Sequence, residues 1–301
     1  MVVLDNLSAG HRGAVRSPIE TVDLGDRDAL ARVFDRHRPA AVIHFAAKCY
    51  VGESVQQPAL YYRENVGCTW NLLEAMRAAG CRDIVFSSSC ATYGSPVEVP
   101  LTEAHTQIPI SPYGRTKLHM EHMMQDYAHA YGLHYAALRY FNAAGAASDG
   151  SIGEMHDPET HLIPLILQVA LGTREEVLVF GGDYDTPDGS CIRDYVHVED
   201  LARAHAAALS ALQSGTQEIA VNLGTGAGFS VLEVIETARR VTGRPIQHRV
   251  VARRPGDPSR LVSGGSRARE VLGWVPERPS IEDIVADAWR LLSHPPPGFS
   301  G

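Results

Sequence analysis

The 301-residue sequence predicts a doubly wound parallel α/β sheet joined to a smaller, irregular C-terminal lobe. Three observations carry this. Short apolar runs at Val2–Asp5, Ala41–Phe45, Asp83–Ser88 and Tyr135–Tyr140 have the length of strands and alternate with stretches of helical periodicity, the order expected of parallel strands joined by helices. Gly80 and Gly132 fall just past two of the helical stretches, where a left-handed residue ends a helix. After Asn142 the texture changes to loops rich in Gly, Asp and Pro, at Gly145–Asp157 and Gly181–Gly189.

Taken in order, helices are expected at Asp26–Arg36, Pro58–Ala79 and Tyr113–Tyr131, each after a strand, so the crossovers should be right-handed. Further helices are expected at Leu162–Leu171, Val198–Leu212, Ser230–Thr242 and Ile281–Leu292, with His294–Gly301 as a tail. The α/β domain is placed at residues 1–142, with 194–222 returning to it, and the second lobe at 143–193 and 223–301. A chain of this length, 45% hydrophobic, can bury a large core. No apolar run is long enough to span a bilayer and the N-terminus lacks signal-peptide features, so cytoplasmic residence is the expectation. A formal charge of −8 with no basic stripe argues against nucleic-acid binding. Any anionic ligand must be met by a few placed arginines and helix ends. Five cysteines, odd in number and without a CxxC pair, read as reduced thiols, and no metal site is expected.

The chemistry-bearing pattern begins at Ser111-Pro-Tyr-Gly-Arg-Thr-Lys117. Tyr113 and Lys117 stand at i and i+4, so both side chains leave one face of a helix and an ammonium can lie beside a phenol. That charge favours the phenolate and makes it usable as a general base. An isolated pair of this kind reads more readily as a solvated helix face. Its context is Asp83-Ile-Val-Phe-Ser-Ser-Ser-Cys-Ala-Thr-Tyr-Gly94, an apolar strand running into serines, and ligands of such sheets gather at the carboxyl ends of strands. Ser89 could present its hydroxyl to the same substrate oxygen as Tyr113. For two of the three serines, ending a strand and capping the next turn is sufficient reason. Gly224-Thr-Gly-Ala-Gly228 follows a strand and precedes a helix, but its length is wrong for a dinucleotide fingerprint and it reads as a structural turn.

A strand ending in Ser-Ser-Ser, then Tyr-Gly, then Ser-Pro-Tyr-Gly-x-x-Lys, resembles the extended short-chain dehydrogenase/reductases. Leu4-Asp-Asn-Leu-Ser, His44-Phe-Ala-Ala, Val51-Gly-Glu-Ser-Val, Arg139-Tyr-Phe-Asn, Arg193-Asp-Tyr-Val-His-Val, Asn222-Leu-Gly-Thr-Gly, Arg253-Arg-Pro-Gly-Asp and Leu272-Gly-Trp narrow the likeness to UDP-glucose/UDP-galactose 4-epimerases. The resemblance implies a Rossmann domain, NAD as cofactor, a UDP-sugar as substrate and a homodimer formed through the long helices Pro58–Ala79 and Tyr113–Tyr131. Ser89, Tyr113 and Lys117 would be the catalytic set, with Tyr113 taking the proton of the sugar 4-hydroxyl as hydride passes from C4 to NAD. The resulting 4-keto sugar would turn over and be reduced on its other face. Cofactor contacts would come from Asp5, Asn6, Asp23, Leu24, Phe45, Ala46, Ala47, Asn65, Ser87, Tyr113, Lys117 and Tyr140. Of these, Asp5 at a strand end would receive the ribose hydroxyls and repel a 2′-phosphate, favouring NAD over NADP. The nucleotide-sugar would be held by Ser89, Asn142, His161, Leu162, Phe180, Arg193, Arg254 and Asp257, with arginine forks for the diphosphate and Phe180 for uracil.

Members of this family open with a strand and a Gly-x-x-Gly-x-x-Gly turn, whereas Met1 here falls inside the second strand, so the first βα unit is expected to be missing and the start to lie upstream. Without that unit, poor solubility and loss of NAD are expected. Cys49 and Cys68 stand where relatives carry lysine and glycine. Two alternatives stay open beside hexose epimerisation. One is a 4-epimerase of another UDP-sugar (N-acetylhexosamine, pentose or uronate), and the other a non-catalytic nucleotide-sugar-binding protein. A dehydratase is disfavoured because Ser89 is followed by Cys90-Ala91 and not by an acid.

Overall fold

The computed structural model describes residues 1–46, 48–254 and 256–296; Ala47 lies outside them. In chain order the elements are β1 (Val3–Asp5), β2 (Ile19–Thr21), α1 (Arg27–His37), β3 (Ala41–His44), α2 (Val51–Gln56), α3 (Pro58–Tyr61), α4 (Cys68–Ala79), β4 (Asp83–Ser89), α5 (Pro112–Tyr131), β5 (His134–Tyr140) and β6 (Asn142–Ala144). There follow α6 (Leu162–Leu171), β7 (Val177–Phe180), β8 (Ile192–His197), α7 (Val198–Gln213), β9 (Glu218–Leu223), β10 (Gly228–Ser230), α8 (Val231–Thr242), β11 (His248–Val251), β12 (Arg260–Leu261), α9 (Arg267–Leu272) and α10 (Ile281–Ser293).

Two compact units result. The first comprises Met1–Gly94, His105–Arg139 and His205–Val221, the second Ser95–Ala104, Tyr140–Ala204 and Asn222–Gly301. The sequence-based boundaries differ from these at 95–104, 140–142, 194–204 and 222, which cluster with the second unit.

In the first unit β3, β4, β5 and β9 hydrogen-bond in that order, with β3 and β4 parallel (Val42 opposite Ile84), and β1 pairs parallel with β2. The fold is a Rossmann-like α/β fold. Period-two alternation along β4 sends Ile84 and Phe86 into a core with Leu30 and Phe34 of α1, Leu72, Leu73 and Met76 of α4, and Met120 and Met124 of α5. Leu4 and Val42, from the two separate sheets, pack against this same core. The helix ends follow local chemistry. Asp26 accepts from the Ala29 N–H to start α1; Ser111 accepts from the Gly114 N–H, with Pro112 behind it, to start α5. Gly132, at φ 68°, stops α5. The single helix expected over Pro58–Ala79 is instead α3 and α4 joined by a π-helical turn, Tyr62–Gly67. The extra residue in that turn carries Asn65, fully buried, to two polar partners described below.

The second unit is built on β8, every residue of which is buried. It pairs with β6, β10 and β12, while β7 pairs with β11. These pairings were not apparent from the sequence, where the region reads as loops. α6, α8 and α10 cover a core that includes Ile166, Leu167, Ile235 and Ile284. Ser230 and Glu233 form a reciprocal capping box at the start of α8. The Asp194 carboxylate, on β8, accepts four bonds, from the N–H and hydroxyl of Thr225 and the N–H groups of Gly226 and Ser263, at 2.7–3.1 Å. A Cβ on Gly224 would stand 2.2 Å from the Ser263 Cβ, so the Gly224–Gly228 turn is a packing device, as its length predicts. Among the described residues no helix is long and apolar enough to cross a membrane.

Candidate active site

In the first unit, β4 and α5 bring Ser89, Tyr113 and Lys117 to one end of the sheet. Lys117 is only 3% exposed. Its ammonium donates to the Ser87 carbonyl at 2.7 Å and lies 4.9 Å from the Phe86 ring centre and 5.9 Å from that of Tyr113. Burial pulls its pKa down to about 8. The Ser89 hydroxyl oxygen accepts the Ala91 N–H, capping the turn after β4. That turn meets the first turn of α5 closely. A Cβ on Gly114 would stand 2.4 Å from the Ala91 carbonyl oxygen, so glycine after Tyr113 is what lets the two segments touch.

Further residues brace this end, and the sequence reading missed them as a group. Glu121, one turn beyond Lys117, accepts from the Ser88 hydroxyl at 2.5 Å and pairs with Arg139 of β5 at 2.6 Å. Arg139 also donates to the Tyr93 hydroxyl (3.0 Å) and to Gln107 (3.2 Å). Thr116 accepts from Asn65, whose amide also makes both hydrogen bonds to the Lys48 backbone. Their burial, which only the structure shows, is what marks them: Asn65, Thr116, Glu121 and Arg139 are all buried polar groups beside the serine strand.

The expected cofactor residues fall at strand ends of the same unit. Asp5, ending β1, accepts the Leu7 N–H on Oδ1 at 2.6 Å. A Cβ on Gly10 would come within 3.2 Å of its Oδ2, so glycine keeps that oxygen approachable. Asn6 donates to Asp23 at 2.7 Å, Asp23 accepts the Gly25 N–H, and the Leu24 carbonyl accepts from Asn71. Phe45 and Ala46 are exposed after β3, the Phe45 ring 4.6 Å from that of His205. A carboxylate poised for paired hydroxyls after β1, apolar residues after β3 and a buried ammonium on α5 together fit the adenosine and nicotinamide ends of NAD. Tyr140, at the end of β5, belongs to the second unit.

In the second unit the expected nucleotide-sugar residues form pairs. Arg193 on β8 binds Asp257 through its guanidinium and lies opposite Leu261 of β12. The Arg254 guanidinium lies 3.8 Å above the Phe180 ring centre. Burial raises the Cys191 thiol, on which Arg193, Asp257 and Arg254 all act electrostatically. Asn142 opens β6 opposite Tyr195. Leu162 packs against the core, and His161 precedes α6 bound to Glu154 and Glu159. Its hydrogen bonds to these two carboxylates, Glu154 first, raise its pKa to about 10.

The NAD dependent epimerase/dehydratase family matches residues 1–224. The chain is 51% identical over 301 residues to the UDP-glucose 4-epimerase of Halalkalibacterium halodurans, covering 100% of this chain and 90% of that one. To the UDP-glucose 4-epimerase of Streptococcus mutans it is 50% identical over 303 residues, covering 99% and 91%. The crystal structure of the UDP-glucose 4-epimerase from Brucella ovis in complex with NAD matches with a TM-score of 0.94 at 51% identity, over 96% of this chain and 89% of that one. The matched stretch contains the strand-end acid, the serine strand and the Tyr-x-x-x-Lys helix of this chain, and the chain belongs to the NAD dependent epimerase/dehydratase family.

Proposed function

We propose that this protein interconverts UDP-glucose and UDP-galactose at C4 through a 4-keto sugar, with Tyr113 as general base, Lys117 tuning it and Ser89 hydrogen-bonding the same sugar oxygen. The burial of Lys117 carries the reading. A Tyr-x-x-x-Lys pair on a solvated face would leave the ammonium in water, whereas here it is held by a strand carbonyl next to the Tyr113 ring. A cation in that place stabilises the phenolate that accepts the sugar proton, and stabilises it more for being out of water. The ammonium form prevails below about pH 8, which sets the upper edge of the range in which it can act. Ser89, fixed by its bond to Ala91, orients the sugar hydroxyl.

NAD, when bound, supplies the hydride acceptor and donor for C4. Asp5 would receive its ribose hydroxyls, Asp23 and Leu24 would meet the adenine, and Phe45, Ala46 and Lys117 would border the nicotinamide end. In the second unit, Arg193 and Arg254 would hold the diphosphate. Arg193 would exchange part of its bond to Asp257 for phosphate, and Phe180 would offer its ring to uracil. The reading includes a homodimer through α4 and α5, supported by the exposure of Trp70 and Tyr131 on those helices.

The test is conversion of UDP-galactose to UDP-glucose by purified protein, with bound NAD measured after acid release. NAD-loaded protein that converts neither sugar would overturn the reading. Tyr113→Phe should lower turnover by roughly the 10²–10⁴ ascribed to a positioned general base, while UDP-sugar binding, read by calorimetry, survives. Near-wild-type turnover would remove Tyr113 from the mechanism.

A further inference from the structure

The loop between β6 and α6 gathers four side chains of metal-ligating type. Glu154, His156, Glu159 and His161 place one potential donor atom each within 4.8 Å of all the others. The His156 Nδ1 lies 2.9 Å from Glu154 Oε1 and 3.8 Å from Glu159 Oε2. The His161 Nδ1 contacts the same Glu154 Oε1 and lies 3.3 Å from Glu159 Oε1. Neither acid is a solvated surface group, since the Glu159 side chain is 6% exposed and that of Glu154 19%. Glu154 also borders an apolar crevice formed by Ile163, Pro164, Ala288, Leu291 and Leu292, where a carboxylate needs a cationic partner.

We propose that Glu154, His156, Glu159 and His161 form a binding site for a single divalent cation of the Zn²⁺ type. The nothing-bound alternative is a closed network of two imidazolium rings and two carboxylates. One divalent ion carries the charge of two protons, so replacing the ring protons with the ion leaves the cluster neutral either way, and net charge does not choose between them. Donor spacing does. A tetrahedral ion with bonds of about 2.0–2.1 Å holds its ligands about 3.3–3.4 Å apart, and the 3.3 and 3.8 Å separations of the two rings from Glu159 lie near that edge, while both contacts to Glu154 are shorter and would lengthen around an ion. As a hydrogen bond, the 3.8 Å contact between His156 and Glu159 is too long.

The donor set narrows the ion. Two imidazole nitrogens with two carboxylates suit Zn²⁺ and its neighbours, whereas Mg²⁺ and Ca²⁺ take oxygen ligands. The orientation of one ligand is already fixed, because Glu159 Oε1 accepts the Thr160 and His161 N–H groups at 2.7 and 2.8 Å. The ion would therefore tie residues 154–161 into one turn at the start of α6. Cysteine spacing, on which the sequence reading relied to exclude a metal, has no bearing on such a site. The proposal does not depend on which sugar the enzyme turns over, and its test reads the metal directly.

The full chain, freed of metal by a chelator, is titrated with Zn²⁺ alone by calorimetry and with Co²⁺ while its visible spectrum is recorded. The expected result is one ion per chain and the intense bands of tetrahedral Co²⁺. Glu154→Gln and His156→Ala should each weaken binding by more than the ~10–100-fold that loss of an outer-shell partner alone costs, with circular dichroism unchanged. No stoichiometric binding, or binding equally tight in both variants, would overturn the proposal, the latter by assigning the ion to others of the 14 histidines. Should either variant fail to fold, the spectrum of the unsubstituted protein decides: pale octahedral Co²⁺ overturns the site and tetrahedral bands support it.

Discussion

Lys117 shows how a single side chain links stability to chemistry. Its folded pKa, about 8, lies below the usual 10.5 of a lysine because the ammonium is buried. Between those values the unfolded chain binds a proton that the folded chain does not, so this group makes folding more favourable as pH rises through about 8 toward 10.5. A shift of that size corresponds to roughly 3 kcal/mol. Compared with Lys117→Met, the wild-type protein should therefore gain up to ~3 kcal/mol of relative stability between pH 7 and pH 10, read from urea midpoints of both proteins at each pH. A difference that stays flat with pH would show that the ammonium is not buried as described. The proposed catalytic residues stand out in the sequence because Tyr113 and Lys117 share a helix and Ser89 ends a strand, so local spacing exposes them. Asn65 was named but not understood. Its bonds to Lys48 and Thr116 join parts of the chain that no local pattern connects.

Among the elements, β4, β5 and α5 are held in register by the ion pair of Arg139 with Glu121, whose side chains are 7% and 2% exposed. Arg139→Met would leave the Glu121 carboxylate buried without its main partner, at a cost of about 3–5 kcal/mol. Adding Glu121→Leu should recover most of that loss, because a well-packed apolar pair can replace a buried ion pair. Thermal denaturation of the two single variants and the double variant measures this, and a double variant as unstable as Arg139→Met would refute it. Helices such as α6 and α8 were legible to within a residue because apolar period and end residues agree, the latter in the capping box of Ser230 and Glu233. The π turn at Tyr62–Gly67 was not, since an added residue in a helix leaves no mark on the apolar pattern when a buried asparagine occupies it.

For the whole molecule, the alternation of strand and helix up to Tyr140 was readable, while the sheet around β8 was not. Its strands are two to six residues long and pair across wide gaps in sequence, too short to show a period. Assembly is the other property of this scale. Trp70 and Tyr131 are 44% and 56% exposed on α4 and α5, and a two-fold pairing would bury each patch against its own copy. Trp70→Glu should then lower the mass seen by light scattering from that of two chains to that of one. A wild-type protein already of single-chain mass would remove the dimer. Asp194 has a consequence of another kind. Its carboxylate gathers the amides of Thr225, Gly226 and Ser263, which come from two separate stretches of chain. In deuterated water these three should exchange as one group, at a rate set by the opening of the second unit as a body and not by fraying of either loop. An exchange map that finds Gly226 labelled long before Ser263 would show that the knot loosens one thread at a time.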